Sequence, residues 1–309
     1  MAGSSGSKKK RCLSVCVATA LAVAGCGDDG ERVCTRAAPL AVLSAFPAEM
    51  AAMLAHARGV RVVEAGGHKY RLADIGGRHV VIAMTGIGLA NARRVTRLTL
   101  EQFGPAGVVV VGVAGSSRVP IGSVAVPRRW RLSDGREFVV DPQWWQWVEA
   151  NALHVDPLLA RCGMAYLAGG AMPVCMPEPP RLLALEVALS DDPFAGQPFP
   201  CQEGGDDLYG CDLPPSRIMG GTGTQAANEP AHVPRNDEGP WINDMESAAI
   251  AEVASEYGIP FIAFRAVSDG PGDPLGLRNF LLQFTAYYRY AAANAAVAAN
   301  AFLATMPCP

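Results

Sequence analysis

Charge and aromatic rings are both scarce in this chain. Charged residues fill 18% of its 309 positions, aromatics 7%, and the formal net charge is −3. Binding nucleic acid calls for a basic face. Here Lys8, Lys9, Lys10 and Arg11 crowd the extreme N-terminus, and taking those four away moves the net charge from −3 to −7. Nucleic acid is thereby excluded as a partner. Histidine is also scarce, with five in all, and none of the nine cysteines forms a C-x-x-C pair. Zinc-type ligand spacing is missing, and no metal site is expected. There is no D-x-D-x-D-G calcium loop, no Gly-Lys-Ser/Thr ending of a phosphate loop and no G-x-S-x-G nucleophile elbow. The apolar run at 12–24 is shorter than the ~20 residues a spanning helix needs. No repeat or long linker divides the chain.

Half of the residues are hydrophobic. That is enough for a sizeable core, and one α/β domain is expected rather than two. The N-terminus reads as a targeting segment. Four basic residues precede the apolar run, which ends in Leu21-Ala22-Val23-Ala24-Gly25-Cys26. Small residues before a cysteine resemble the lipobox of bacterial lipoproteins, in which that cysteine becomes the lipidated first residue. The expected organisation is a signal at 1–25, lipidation at Cys26, a polar tether at 26–38 and a catalytic domain at 39–309. Export, with the membrane reached through a lipid anchor only, places the protein on the periplasmic or cell-surface side. Ordinary secretion is the alternative. In such a compartment the remaining cysteines favour disulfides. Sequence proximity suggests Cys162 with Cys175 and Cys201 with Cys211, leaving Cys34 for Cys308.

Local pattern predicts the elements. Residues 40–45 form a short apolar strand, and Phe46-Pro47-Ala48-Glu49 opens a helix with Met50, Met53 and Leu54 inward. Strands at 70–75 and 79–84 meet at a Gly76-Gly77 turn. The loop 85–91 leads into a helix reaching about Phe103. Its Gly86-x-Gly88 lacks the third glycine of a dinucleotide fingerprint, but it could bring backbone N–H groups to a small ligand. Residues 107–113, with five valines in seven positions, suit a buried parallel strand. A β segment follows at 122–127. Trp130, Trp144, Trp145 and Trp147 could stack a base, although packing is the simpler reading. Between 162 and 215, prolines, glycines and acidic pairs around four cysteines suggest a stapled surface excursion. Gly220-Gly221-Thr222-Gly223-Thr224 looks like a phosphate cradle without a phosphate loop's ending, and 217–220 could re-enter the sheet. A helix is expected over 275–302.

The stretch 243–273 organises the rest. Asn243 or Asp244 can cap a helix with Ile250, Val253 and Ala254 on one face, ended by Gly258 and Pro260. The following strand, 261–267, is apolar apart from Arg265 and empties at Ser268, Asp269 and a Gly/Pro loop. Ligands of open α/β sheets sit at such carboxyl ends. Glu246 and Asp269 can therefore converge on one pocket. Equally, Glu246 and Glu49 could merely complement helix dipoles, and Asp269 could merely serve a turn.

Met245-Glu246 ahead of a helix, a strand ending Arg265-Ala266-Val267-Ser268-Asp269, Gly112-Val113-Ala114-Gly115 upstream and Phe46-Pro47-Ala48-Glu49 after the first strand together resemble the nucleoside phosphorylase/nucleosidase superfamily. The likeness is greatest to its 5′-methylthioadenosine/S-adenosylhomocysteine nucleosidase branch. Val126-Pro127-Arg128-Arg129-Trp130 is similar to its exported members. The resemblance covers roughly 39–304. It implies a three-layer α/β/α domain around a central mixed, mostly parallel sheet. It also implies cleavage of the N-glycosidic bond of a purine nucleoside without a cofactor, by a protein that commonly pairs as a homodimer.

By that resemblance Asp269 is the general acid at N7 of the leaving purine, and Glu49 positions and deprotonates the attacking water. Glu246 grips the ribose hydroxyls, Met245 floors the sugar, and Gly115 and Ser268 contact substrate. Phe46-Pro47-Ala48-Glu49 stands where the phosphorylases carry a phosphate-binding Gly-Asp-Pro-x-Arg segment, which favours water as acceptor. A phosphorylase using Arg93 or Arg94, and a nucleoside-binding or storage lipoprotein, are the alternatives.

Overall fold

A computed structural model describes residues 38–192 and 241–306. Its first strand, β1 (Leu40–Ser44), is buried at every position and runs into α1 (Pro47–Leu54), where Pro47 takes the first helical turn that needs no N–H from it. Three strands then form antiparallel pairs: β2 (Arg58–Ala65), β3 (His68–Ile75) and β4 (Arg78–Met84). The expected Gly76-Gly77 turn joins β3 to β4, both glycines having positive φ. Strand β2 was not foreseen, because most of its side chains face solvent and it carries no inward alternation.

Helix α2 (Leu89–Phe103) closes on Gly104 in the left-handed conformation. Strand β5 (Gly107–Ser116) is buried along its first eight residues and lies parallel to β1, as five valines require. Strand β6 (Val124–Leu132) pairs antiparallel with the short β7 (Glu137–Val139), and α3 (Pro142–Val155) follows, capped by Asp141. The tryptophans pack. Trp130 is fully buried in β6, while Trp144 and Trp147 meet Phe302 edge-on at 5.3 and 5.1 Å.

The hairpin β8 (Cys162–Leu167) and β9 (Gly170–Cys175) is closed by the anticipated Cys162–Cys175 disulfide. The expected surface excursion is corrected in one respect. Strand β10 (Leu182–Ser190) is integral to the sheet, parallel to both β6 and β11 (Ile242–Asp244). Proline and cysteine density nearby hid a strand whose alternate residues are only partly buried. Helix α4 (Ser247–Glu256) and strand β12 (Phe261–Asp269) follow as predicted. The last helix, α5 (Phe280–Thr305), begins five residues late. Asp273 accepts hydrogen bonds from the amides of Leu275 at 2.8 Å and Leu277 at 2.6 Å, and from the Tyr287 hydroxyl, which locks that stretch into a turn.

The strand order is β11-β10-β6-β12-β5-β1-β4-β3-β2, and β11 also pairs with β5, closing the far half of the sheet on itself. The sheet is mixed and parallel through its centre. Helices α1 and α5 pack together, as do α2 and α4, and each pair also packs on the sheet. The carboxyl ends of β1, β5 and β12 therefore open in one direction. Cys26, Cys34, Cys201, Cys211, Cys308 and the stretch 217–224, with the lipidation, pairing and cradle expected of them, lie outside the described residues.

Candidate active site

One guanidinium organises the site. Arg265 sits in mid-β12 with no exposure, where an isolated charge would be prohibitively costly. Its Nε lies 2.7 Å from Asp244 Oδ2 and donates to Ser247 Oγ at 3.0 Å; Nη2 donates to Glu246 Oε2 at 3.2 Å; Nη1 is 3.5 Å from Glu49 Oε1. Three acidic side chains, one from the start of α1 and two from the stretch before α4, thus share one cation. All three are at most 5% exposed.

Each acid is held by its own local structure. Pro47 starts α1 so that Glu49 falls in the first turn, where its two oxygens accept from the amides of Ala45 and Val113, each at 2.7 Å. Glu246 stands at the start of α4, and Oε1 accepts from the Gly88 amide at 2.9 Å. The glycine loop expected to offer N–H groups to a ligand gives this one to Glu246 instead. Asp244 accepts from the Ser247 amide at 3.2 Å and from the Ser190 hydroxyl, while Ser190 Oγ accepts from Ala248 N at 2.8 Å. Ser190 lies on the unforeseen β10, so nothing in the local pattern pointed to it. Met245, between the two acids, is partly exposed.

The electrostatics follow from one cation among three acids. Burial raises the pKa of Glu246, Arg265 opposes it, and Asp244 and Glu49 push it up again. Glu49 is likewise raised by burial, against Arg265 and its amide donors. With three carboxyl groups around one guanidinium, the cluster favours holding a proton or facing a positive charge.

Asp269 ends the same strand four residues on, roughly 13 Å along it. Its Oδ1 accepts from the Ser268 hydroxyl at 2.7 Å. Gly115 is its register partner on β5, and a Cβ there would lie 2.6 Å from Asp269 Oδ2. Burial raises the Asp269 carboxyl from 3.8 to about 6, the Ser268 hydrogen bond opposing. Gln283 Oε1 accepts from the next amide, Gly270, at 3.0 Å and anchors the turn beyond. Glu49, Glu246 and Asp269 thus share one end of the sheet. Glu49 and Glu246 meet through Arg265, and Asp269 stands apart from them.

Arg93 and Arg94 are placed elsewhere. Arg93 donates to Glu252 at 2.6 Å, and both arginines line an outer groove of about 490 Å³ with Arg97 and Glu101, without Glu49, Glu246 or Asp269.

Two expectations follow from this geometry. At Gly112 a Cβ would collide with the Arg265 guanidinium and the Glu49 carboxylate, so Gly112→Ala is expected to destabilise the protein by about 1–3 kcal/mol, measured as a lowered denaturation midpoint in urea. The second concerns pH. A carboxyl with a raised folded-state pKa keeps the native state favoured below its unfolded value and withdraws that support as pH climbs through the folded value. Support from Asp269 should thus fall between about pH 4 and pH 6. Asp269→Asn is expected to melt higher than the wild type at pH 7.5, with the difference shrinking at pH 4. An equal difference at both would mean that Asp269 titrates normally.

Fold and site together define a nucleoside phosphorylase-like α/β protein, with its acidic site at the carboxyl end of the sheet. The Phosphorylase superfamily model matches residues 39–304, and the chain belongs to that family. An uncharacterized protein of Mycobacterium tuberculosis is 34% identical over 224 residues, 66% of this chain and 89% of its own length. The 5′-methylthioadenosine/S-adenosylhomocysteine nucleosidase of Treponema pallidum is 26% identical over 222 residues, 68% of this chain and 73% of its own. Among solved structures, the nucleosidase of that name from Neisseria meningitidis in complex with methylthio-immucillin-A superposes with a TM-score of 0.59 at 18% identity, covering 87% of this chain and 99% of that one. The S-adenosylhomocysteine nucleosidase of Streptococcus pyogenes gives 0.60 at 17%, covering 88% and 98%. These two likenesses concern the fold.

Proposed function

We propose that the protein hydrolyses the N-glycosidic bond of purine nucleosides of the methylthioadenosine and adenosylhomocysteine type. The observation that carries this reading is the grouping of Glu49, Glu246 and Asp269 at one end of the sheet, with Asp269 raised to about 6 and so able to give up a proton near neutrality. Asp269 protonates N7, which turns the purine into a neutral leaving group. Glu246 accepts from the ribose hydroxyls, with Met245 beneath the sugar and Gly115 and Ser268 against the base. As the bond stretches, the sugar becomes oxocarbenium-like, and a cluster of three carboxyl groups around one guanidinium stabilises it. Glu49, aimed by two backbone amides, receives the proton of the attacking water.

Water is favoured over phosphate because Glu49 occupies the segment a phosphate-binding arginine would need and Arg93 is engaged by Glu252. We place the activity outside the cytoplasm, on a lipid tether at Cys26, in a homodimer. The nucleosidase of Treponema pallidum lends support at distant identity.

Liquid chromatography of adenosine, inosine and methylthioadenosine incubated with purified protein, with and without phosphate, tests the reading. Free base without phosphate is expected. Strict phosphate dependence would replace hydrolysis by phosphorolysis, and binding without base release would leave a nucleoside-binding protein.

A further inference from the structure

Asn243 presents an unanswered acceptor. Its Oδ1 is buried and has no hydrogen-bond partner among the described residues. Leaving a buried acceptor in that condition is unfavourable, and a ligand carrying a donor would recover the loss. Its position is specific. Asn243 on β11 stands opposite Gly115 of β5, and Gly115 is the register partner of Asp269 on β12. Directly opposed residues share a face of a sheet. With strands about 4.8 Å apart, the amide and the carboxyl are therefore carried about 10 Å apart on the backbone. Between them is a residue without a side chain, where even a Cβ would press on Asp269. The additional β11–β5 pairing creates this juxtaposition.

We infer that Asn243 is a specificity-determining residue that reads the exocyclic group at C6 of the purine and selects a 6-amino base. The inference rests on the purine reading of the site. A purine edge presents N7 as an acceptor beside either a 6-amino donor or a 6-oxo acceptor. Protonated Asp269 answers N7 as a donor. The neighbouring group of an adenine base is then a donor, and the buried carbonyl of Asn243 answers it. A 6-oxo base would set one acceptor against another. Sites built around such a bond discriminate strongly, because the analogue leaves a buried polar group unpaired.

The test is calorimetric titration of the full chain with free adenine and with hypoxanthine, for wild type and Asn243→Leu. Asn243→Val, whose side chain suits a strand, is the second variant should the leucine protein fail to give a native melting transition. Adenine affinity is expected to fall tenfold or more in the variant while hypoxanthine affinity changes less than threefold. An unchanged adenine-to-hypoxanthine ratio, or a selective loss of hypoxanthine, would overturn the role of Asn243. Free-base binding needs no turnover. A wild type that binds adenine selectively through Asn243 yet releases no base from nucleosides would sink the proposed reaction and leave this inference standing. A wild type that binds neither base would sink both.

Discussion

Replacing Arg265 by methionine is expected to destabilise the protein by about 3–5 kcal/mol, the usual consequence of removing one partner from a buried ion pair. The methionine fills much of the volume but leaves Glu49, Asp244 and Glu246 without their shared cation in a site where none exceeds 5% exposure. Glu49 and Glu246, both already raised by burial, must then take up a proton or leave the interior. Thermal melting followed by circular dichroism at pH 7.5 should show a midpoint lowered by about 6–20 °C, and the loss should shrink at pH 4.5 as the acids protonate. Adding Glu246→Gln to the methionine variant should recover part of it, because one uncompensated charge is gone. A variant that melts with the wild type at pH 7.5 would mean that the acids are neutral there and that Arg265 does not hold the site together.

Asp269→Asn should slow nucleoside hydrolysis by two orders of magnitude or more, the lower end of what a positioned general acid contributes. Asparagine keeps the shape and can accept the Ser268 hydroxyl but cannot pass a proton to N7. The effect should fall on kcat rather than KM, since an amide can still donate a hydrogen bond to the base. The same raised carboxyl that underlies the expected pH dependence of stability should make wild-type kcat/KM decline above about pH 6, with no such decline in the variant's residual rate. A variant retaining the wild-type rate would remove Asp269 from the chemistry.

These two residues lie on one strand, yet they differ in how much of their role could be read beforehand. Asp269 was legible because a buried apolar strand emptying into a Gly/Pro loop marks a ligand-facing edge, and the resemblance assigned its chemistry. Arg265 was visible only as the exception in that strand, although a lone cation in a segment buried on both faces requires acidic partners. In the sequence Glu49 and Glu246 stand as separate carboxylates, each able to serve a helix dipole. Nothing local says that they meet through Arg265, or that the Gly88 amide turns toward Glu246. Ser190 and Asn243 were harder still, the first on a strand masked by proline and cysteine density, the second readable only as a cap.

By itself the sequence determined the buried strands β1, β5 and β12, the helices whose starts carry Glu49 and Glu246, the β3–β4 turn, the Cys162–Cys175 staple and the family. Those are consequences of short-range physics: side-chain periodicity, proline's missing donor, glycine's left-handed freedom and the proximity of two thiols. Tertiary structure alone decided which charges share a cation, which amide serves which carboxylate and which residues flank Gly115 across the sheet. Such pairings depend on strands far apart in the chain lying side by side, and the strength of a charge or hydrogen bond is set by whatever closes water out around it.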